Sequence, residues 1–183
     1  KYFLEIMKKC SKMMQTIIKC PKPILAEVAG TATAAGCQLV ASCDLAYASS
    51  SAKFATPGVN IGLFCSTPMV AISRNLSNKH SMEMLLTGEL ISSDKAAKIG
   101  LINDVIEINE LKDFVLDKAK KISKKSSVTL KIGKEAFYKQ LDMKLSDAYD
   151  YASKVMVQNM LKLDAKEGID AFIDKREPNW KDK

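Results

Sequence analysis

Seven consecutive residues, Gly30-Thr31-Ala32-Thr33-Ala34-Ala35-Gly36, carry nothing larger than threonine where a short apolar run gives way to a helical pattern. The run before them, Pro23-Ile24-Leu25-Ala26-Glu27-Val28-Ala29, is of buried-strand type. The run after them, Cys37 to Asp44, places small and apolar residues at helical spacing. Without large side chains at such a junction, a ligand can approach the backbone closely. A helix N-terminus also offers N–H groups that lack acceptors and the positive end of a dipole, which suits a developing negative charge. The chemistry suggested is oxyanion binding. Tight packing uses the same small residues, and spacing alone leaves both readings open.

The remaining chemistry-bearing residues are sparse. Cys10, Cys20, Cys37, Cys43 and Cys65 form no C-x-x-C pair, and with His80 the single histidine there is no zinc site to assemble. They read as reduced, mostly buried thiols. Cys37 and Cys65 border the turn and the loop after it, but nothing nearby in sequence lowers their pKa towards a nucleophile's. Asp44 closes the helix after the turn and is expected to bond neighbouring backbone. His80 is expected to lie exposed at a helix start, away from the turn.

A net charge of +7 comes from lysines and arginines interleaved with acids. With one Trp and no basic–aromatic alternation, a nucleic-acid partner is not supported. A polyphosphate-bearing ligand suits such a surface equally well. No apolar run is long enough to span a bilayer, and no signal segment is visible.

Several elements must position the turn. Tyr2–Lys19 has Phe3, Ile6, Met7, Cys10, Met13, Met14 and Ile17 on one face, an amphipathic helix whose Met stripe reads as core filling. Pro21 and Pro23 end it before a strand at Ile24–Val28. Strands at Leu45–Ala48 and Lys53–Thr56 follow the central helix; Pro57-Gly58 ends the second, and Val59–Leu63 continues as a loop or short strand. Helices are expected at Thr67–Asn75, Lys79–Thr87 (stopped by Gly88) and Lys95–Ile99 (capped from Ser92, stopped by Gly100), then a strand at Leu101–Ile106. From Asn109, read as a cap, everything is helical: Glu110–Lys124, Ser126–Gln140, Ser146–Leu163 and Ala165–Lys175. Strand, helix, strand in this order implies parallel crossovers. The chain is thus α/β over residues 1–108 and helical over residues 109–183.

These residues resemble the crotonase family, the enoyl-CoA hydratase/isomerase superfamily, through "PKPILAEVAG", "AAGCQLVASCDLAYAS", "KFATPGVNIGLF", "MLLTGELISSDKAAKIGLINDVI" and "EGIDAFIDKREPNW". The resemblance implies a ClpP/crotonase-like ββα spiral with C-terminal helices used in trimerisation, trimers often pairing into hexamers. It implies a lyase-type setting in fatty acid metabolism, with a coenzyme A thioester as ligand or substrate and no other cofactor or metal. The thioester carbonyl is expected between two backbone N–H groups, one of which maps onto Ala35, with Gly36 beside it. The other comes, in the family, from an earlier Ala-Gly-x-Asp loop. No such loop is present, and Lys1 aligns within the helix after it, so the N-terminal third of the fold is expected to be absent from this chain. Lys175 and Lys181, with Arg176, resemble the C-terminal basic residues that reach CoA phosphates in some relatives. The reduced thiols fit a bacterial cytoplasm or a mitochondrial matrix.

The family pattern breaks at its acids. Two glutamates act as base and acid in family hydratases; their positions hold Gln38 and Gly58. The acid of many family isomerases falls at Ser66. An amide can hydrogen-bond water but cannot take its proton, and glycine does neither. Efficient hydration is therefore not expected, and the alternative is a non-catalytic, oligomer-forming scaffold.

Overall fold

In the computed structural model, which describes residues 1–183, the amphipathic pattern at the start folds as helix α1, Tyr2–Lys19. Only Met14 of its apolar stripe is buried; Phe3 remains 79% exposed. Core filling therefore holds only for the second half of the stripe, where Met14 is buried and Cys10 and Ile17 are half-buried, while Phe3, Ile6, Met7 and Met13 stay exposed.

Contacts divide the chain into two compact units, Lys1–Ile18 with Ile24–Lys118, and Lys19–Pro23 with Ala119–Lys183. In the first, β1 (Leu25–Val28), β3 (Leu45–Ser49) and β6 (Asp104–Ile106) form one three-stranded parallel sheet in the order β1-β3-β6. Leu25 pairs with Leu45, and Tyr47 with Asp104. The right-handed βαβ rule makes a helix the natural crossover between parallel neighbours, and α2 (Ala35–Ser42) fills that place between β1 and β3.

A second sheet was not legible in the sequence. It joins β2 (Ala32–Thr33) in parallel to β4 (Lys53–Ala55), and β4 in antiparallel to β5 (Ile91–Ser92). Two-residue strands carry no periodicity to detect. Their consequence is large, because β2 lies inside the small-residue turn and ties it to the chain entering Gly58.

Phe54, Ile72, Met84, Cys37 and Ala48 are almost wholly buried in the core between these layers. The other face of the parallel sheet is covered by α6 (Ile108–Ser123), where Leu111 and Val115 pack on Tyr47. Phe114 meets the Tyr47 ring edge-on at 5.2 Å. Asn109 lies within the first turn of α6 rather than capping it.

α3 (Pro68–Ile72), α4 (Asn78–Thr87) and α5 (Ser93–Ile99) complete this unit. Ser77 and Ser92 cap the last two, accepting from the His80 and Lys95 amides. Gly88 and Gly100 end them in the left-handed region, at φ +63° and +89°. Pro57–Ile61 is a 3₁₀ turn rather than a loop or strand. Proline at its first turn pre-sets φ and has no N–H to lose.

The second unit contains α7 (Ser127–Gln140), α8 (Leu145–Met160) and α9 (Leu163–Ile173), followed by a tail that runs back along Asp164. No helix is long and apolar enough to cross a membrane.

Candidate functional site

The small-residue turn is built on backbone strain. Ala34 has φ 48° and ψ −113°, in a region that non-glycine residues seldom occupy. Such a residue costs about 1–3 kcal/mol and persists where its surroundings over-determine it. Here the restraint is the second sheet, through the Ala34 N–H bonded to the Ala55 carbonyl at 2.9 Å. The chain then enters α2 at once. The Gln38 N–H closes the first helical bond on the Ala34 carbonyl at 3.0 Å. The N–H groups of Ala35, Gly36 and Cys37 precede it and have no acceptor within the helix. Ala35 is exposed and Gly36 half-buried, so the first two amides stand at an open helix end of positive potential.

Gln38 follows one turn later and is 4% exposed. Its Oε1 accepts a long hydrogen bond, 3.7 Å, from the thiol of Cys10 on α1. Sequence reading did not connect Cys10 with the turn, because the two are 28 residues apart and only packing joins them. No carboxylate accompanies this amide. On the other segment of the candidate site, Gly58 leaves no room for any side chain. A Cβ there would lie 2.6 Å from the Leu63 carbonyl oxygen and 2.9 Å from Cys65 Sγ. The Leu63 N–H returns to the Gly58 carbonyl at 2.9 Å, closing the 3₁₀ turn over the space. Ser66 is exposed, and both its N–H and its hydroxyl bond the Phe64 carbonyl, at 2.7 and 3.3 Å.

The remaining candidates fall into place as structural groups. Asp44 Oδ2 accepts the Ile24 N–H at 2.6 Å, fixing the entry to β1. His80 is half-buried rather than exposed, with Nδ1 3.2 Å from Ser77 Oγ in the cap of α4. Burial above all pushes the Cys37 thiol up to about 12; neighbouring Cys65 adds to this and a bond with the Ala55 backbone opposes it. A thiol so protonated is a poor nucleophile. We expect iodoacetamide at pH 8 to leave Cys37 unmodified in the folded protein and to modify it after denaturation, as peptide mass mapping would report; native labelling would refute the assignment.

Ala35, Gly36, Gln38, Gly58 and Ser66 all belong to the first unit, and Lys175 and Lys181 to the second. Both lysine side chains are exposed. Lys175 follows α9 at φ +53°, and the Lys181 N–H is bonded to Asp164. Arg176 is already engaged, with two bonds of 2.6 and 3.1 Å to the Glu167 carboxylate.

Short parallel strands, crossover helices and a strained small-residue turn opening a helix define a crotonase-class protein. The chain belongs to the enoyl-CoA hydratase/isomerase family, which it matches over residues 5–183. It is 52% identical to the mouse (Mus musculus) enoyl-CoA hydratase domain-containing protein 3, mitochondrial, over 98% of this chain and 60% of that protein. The human structure of enoyl Coenzyme A hydratase domain-containing protein 3 superposes with a TM-score of 0.95 at 49% identity, covering 98% of this chain and 71% of that one. An enoyl-CoA hydratase structure from Mycobacterium smegmatis gives 0.96 at 45% identity, covering 98% and 70%. The chain spans about 60% of the length of the curated relatives it matches.

Proposed function

We propose that this chain carries one part of the thioester-binding site of an acyl-CoA protein: the Ala35 amide, with Gly36 beside it, donates to the thioester oxygen, and no hydratase acid–base pair accompanies it. The observation that carries the reading is the contrast within one site. The open helix end at Ala35 is retained, while the space where a side chain at residue 58 would go is filled by Leu63 and Cys65.

Hydration adds hydroxyl to one carbon and a proton to its neighbour, so it needs a group to take the water proton and one to deliver a proton. General acid–base assistance is worth about 10²–10⁴-fold each. Gln38 and Gly58 supply neither. A backbone oxyanion donor alone is worth roughly 3–4 kcal/mol. That suits thioester hydrolysis or decarboxylation, in which charge collects on the carbonyl oxygen. Lys175 and Lys181 are proposed CoA-phosphate contacts on charge alone. Relatives whose names include "mitochondrial" make the matrix the proposed compartment for a eukaryotic source, and the cytoplasm for a bacterial one.

Calorimetric titration with crotonyl-CoA and with CoA tests this. Micromolar binding of the thioester, tighter than CoA, without measurable hydration is the expected result. No heat with either ligand on folded protein would overturn the thioester reading. It would favour the second reading, a non-catalytic trimer- or hexamer-forming scaffold, which the apolar exposure of the helical unit supports: Phe172 is 85% and Leu161 80% exposed.

A further inference from the structure

We propose that the helical unit holds a binding site of its own: an apolar cavity that takes an aliphatic monocarboxylate, with the alkyl chain against Trp180 and the carboxylate at Lys125. The cavity, of about 500 Å³, is lined from α7, α8, α9 and the C-terminal tail, all within the second unit. It is therefore separate from the small-residue turn and independent of the thioester reading. Cavities that hold small ligands span about 300–1,000 Å³ and are mostly apolar with a few polar groups.

The apolar wall is built around a glycine. Trp180 packs on α9 at Gly168, where an added Cβ would come within 3.2 Å of the ring. The indole N–H is held by the Lys124 carbonyl at 2.7 Å, which fixes the ring by its polar edge. Ile169, next along α9, and Leu130 of α7 line the same cavity, and Ile169 is 55% exposed. An aliphatic chain laid along these side chains removes apolar surface from water on both partners, and each methylene so buried strengthens binding about fourfold. Two lining residues carry charge. Asp164 is 1% exposed, and its carboxylate already accepts the Lys181 and Asp182 amides. Lys125 is exposed and belongs to no ion pair. The charge left for a ligand is thus a cation, which favours a carboxylate over a neutral or cationic head group.

Trp180 is the single tryptophan, so its emission reads occupancy directly. Titration with decanoate at pH 7 and low salt is expected to change that emission saturably, with octanoate bound at least about tenfold more weakly. Decanol is expected to bind about threefold to fivefold less tightly than decanoate, the range of an exposed ion pair, and the gap should close in high salt. Lys125→Met is expected to close the gap as well, and Ile169→Asp, at an exposed position, to abolish the response to both. Equal binding of decanoate and decanol at low salt overturns the carboxylate assignment. A response that is absent, or that Ile169→Asp leaves unchanged, overturns the site. A multimer by sedimentation that gives no response assigns the cavity to a second copy of the chain, and overturns it too.

Discussion

Gly58→Glu is expected to destabilise the protein and to restore no hydratase activity, alone or combined with Gln38→Glu. The first carbon of any side chain at residue 58 would stand 2.6 Å from a backbone oxygen, that of Leu63, which cannot rotate aside. It would also stand 2.9 Å from Cys65 Sγ, a side chain that is itself buried. The Leu63 carbonyl is held because its own N–H is tied to the Gly58 carbonyl. Relief therefore requires the whole 57–65 turn to shift. Overpacking of this kind costs about 1–3 kcal/mol before a charge is added, and an unpaired carboxylate forced inside adds to it. Thermal unfolding followed by circular dichroism should show a fall in Tm of several degrees for Gly58→Ala and a larger one for Gly58→Glu. A crotonyl-CoA hydration assay should stay at background. A stable, active double variant would show that the turn yields easily and that the missing acids alone silence hydration.

That residues 38 and 58 carry no carboxylate was legible in the sequence, where they are Gln38 and Gly58. The reason they are not interchangeable was not. Gln38 carries a buried side chain, whereas the place of a side chain at residue 58 is filled by the Leu63 carbonyl and Cys65 Sγ. The difference lies in contacts between residues five and seven apart in a turn without periodicity, where pattern reading has no purchase. The strained backbone at Ala34 was hidden for a related reason. Glycine normally marks a positive φ, and here alanine is held there by β2 and β4, strands of two and three residues. Where the pattern was long, sequence sufficed. α1 was read to both its ends, and the serine cap of α5 and the glycine stops of α4 and α5 match those expected, whereas the Ser77 cap of α4 was missed. The burial of α1 was misread in part, because periodicity shows that a helix has an apolar face, and only the structure shows how much of it the chain covers.

Asp164→Ala is expected to release the C-terminal tail already at neutral pH. Asp164 is 1% exposed, yet its cover is the tail itself: its carboxylate accepts the Lys181 N–H at 2.7 Å and the Asp182 N–H at 3.1 Å. Burial raises the pKa of Asp164, and the bonds from Ser126, Lys181 and Asp182 more than offset this, leaving it below the ordinary value of 3.8. Glu167 is held at about 2, first by its bonds from Arg176 and then by the Asn179 N–H. Both carboxylates thus have folded pKa values below their unfolded ones. Their stabilisation is complete above about pH 4.5 and is lost as pH falls from there towards 2. The protein carries its own reporter. Trp180, the single tryptophan, donates from its indole N–H to the Lys124 carbonyl at 2.7 Å and packs on Gly168, where even a Cβ would come within 3.2 Å of the ring. Trp180 emission should be steady from pH 7 to about 4.5 and shift to the red below it. A hydrogen bond to a charged acceptor contributes about 1.5–3 kcal/mol, so removing the Asp164 carboxylate should give the red-shifted emission already at pH 7. The surface pair of Arg176 and Glu167 cannot hold the tail alone, since exposed ion pairs contribute little. Blue emission retained at pH 7 by Asp164→Ala would show instead that the Trp180 ring anchors the tail and that Asp164 only follows it.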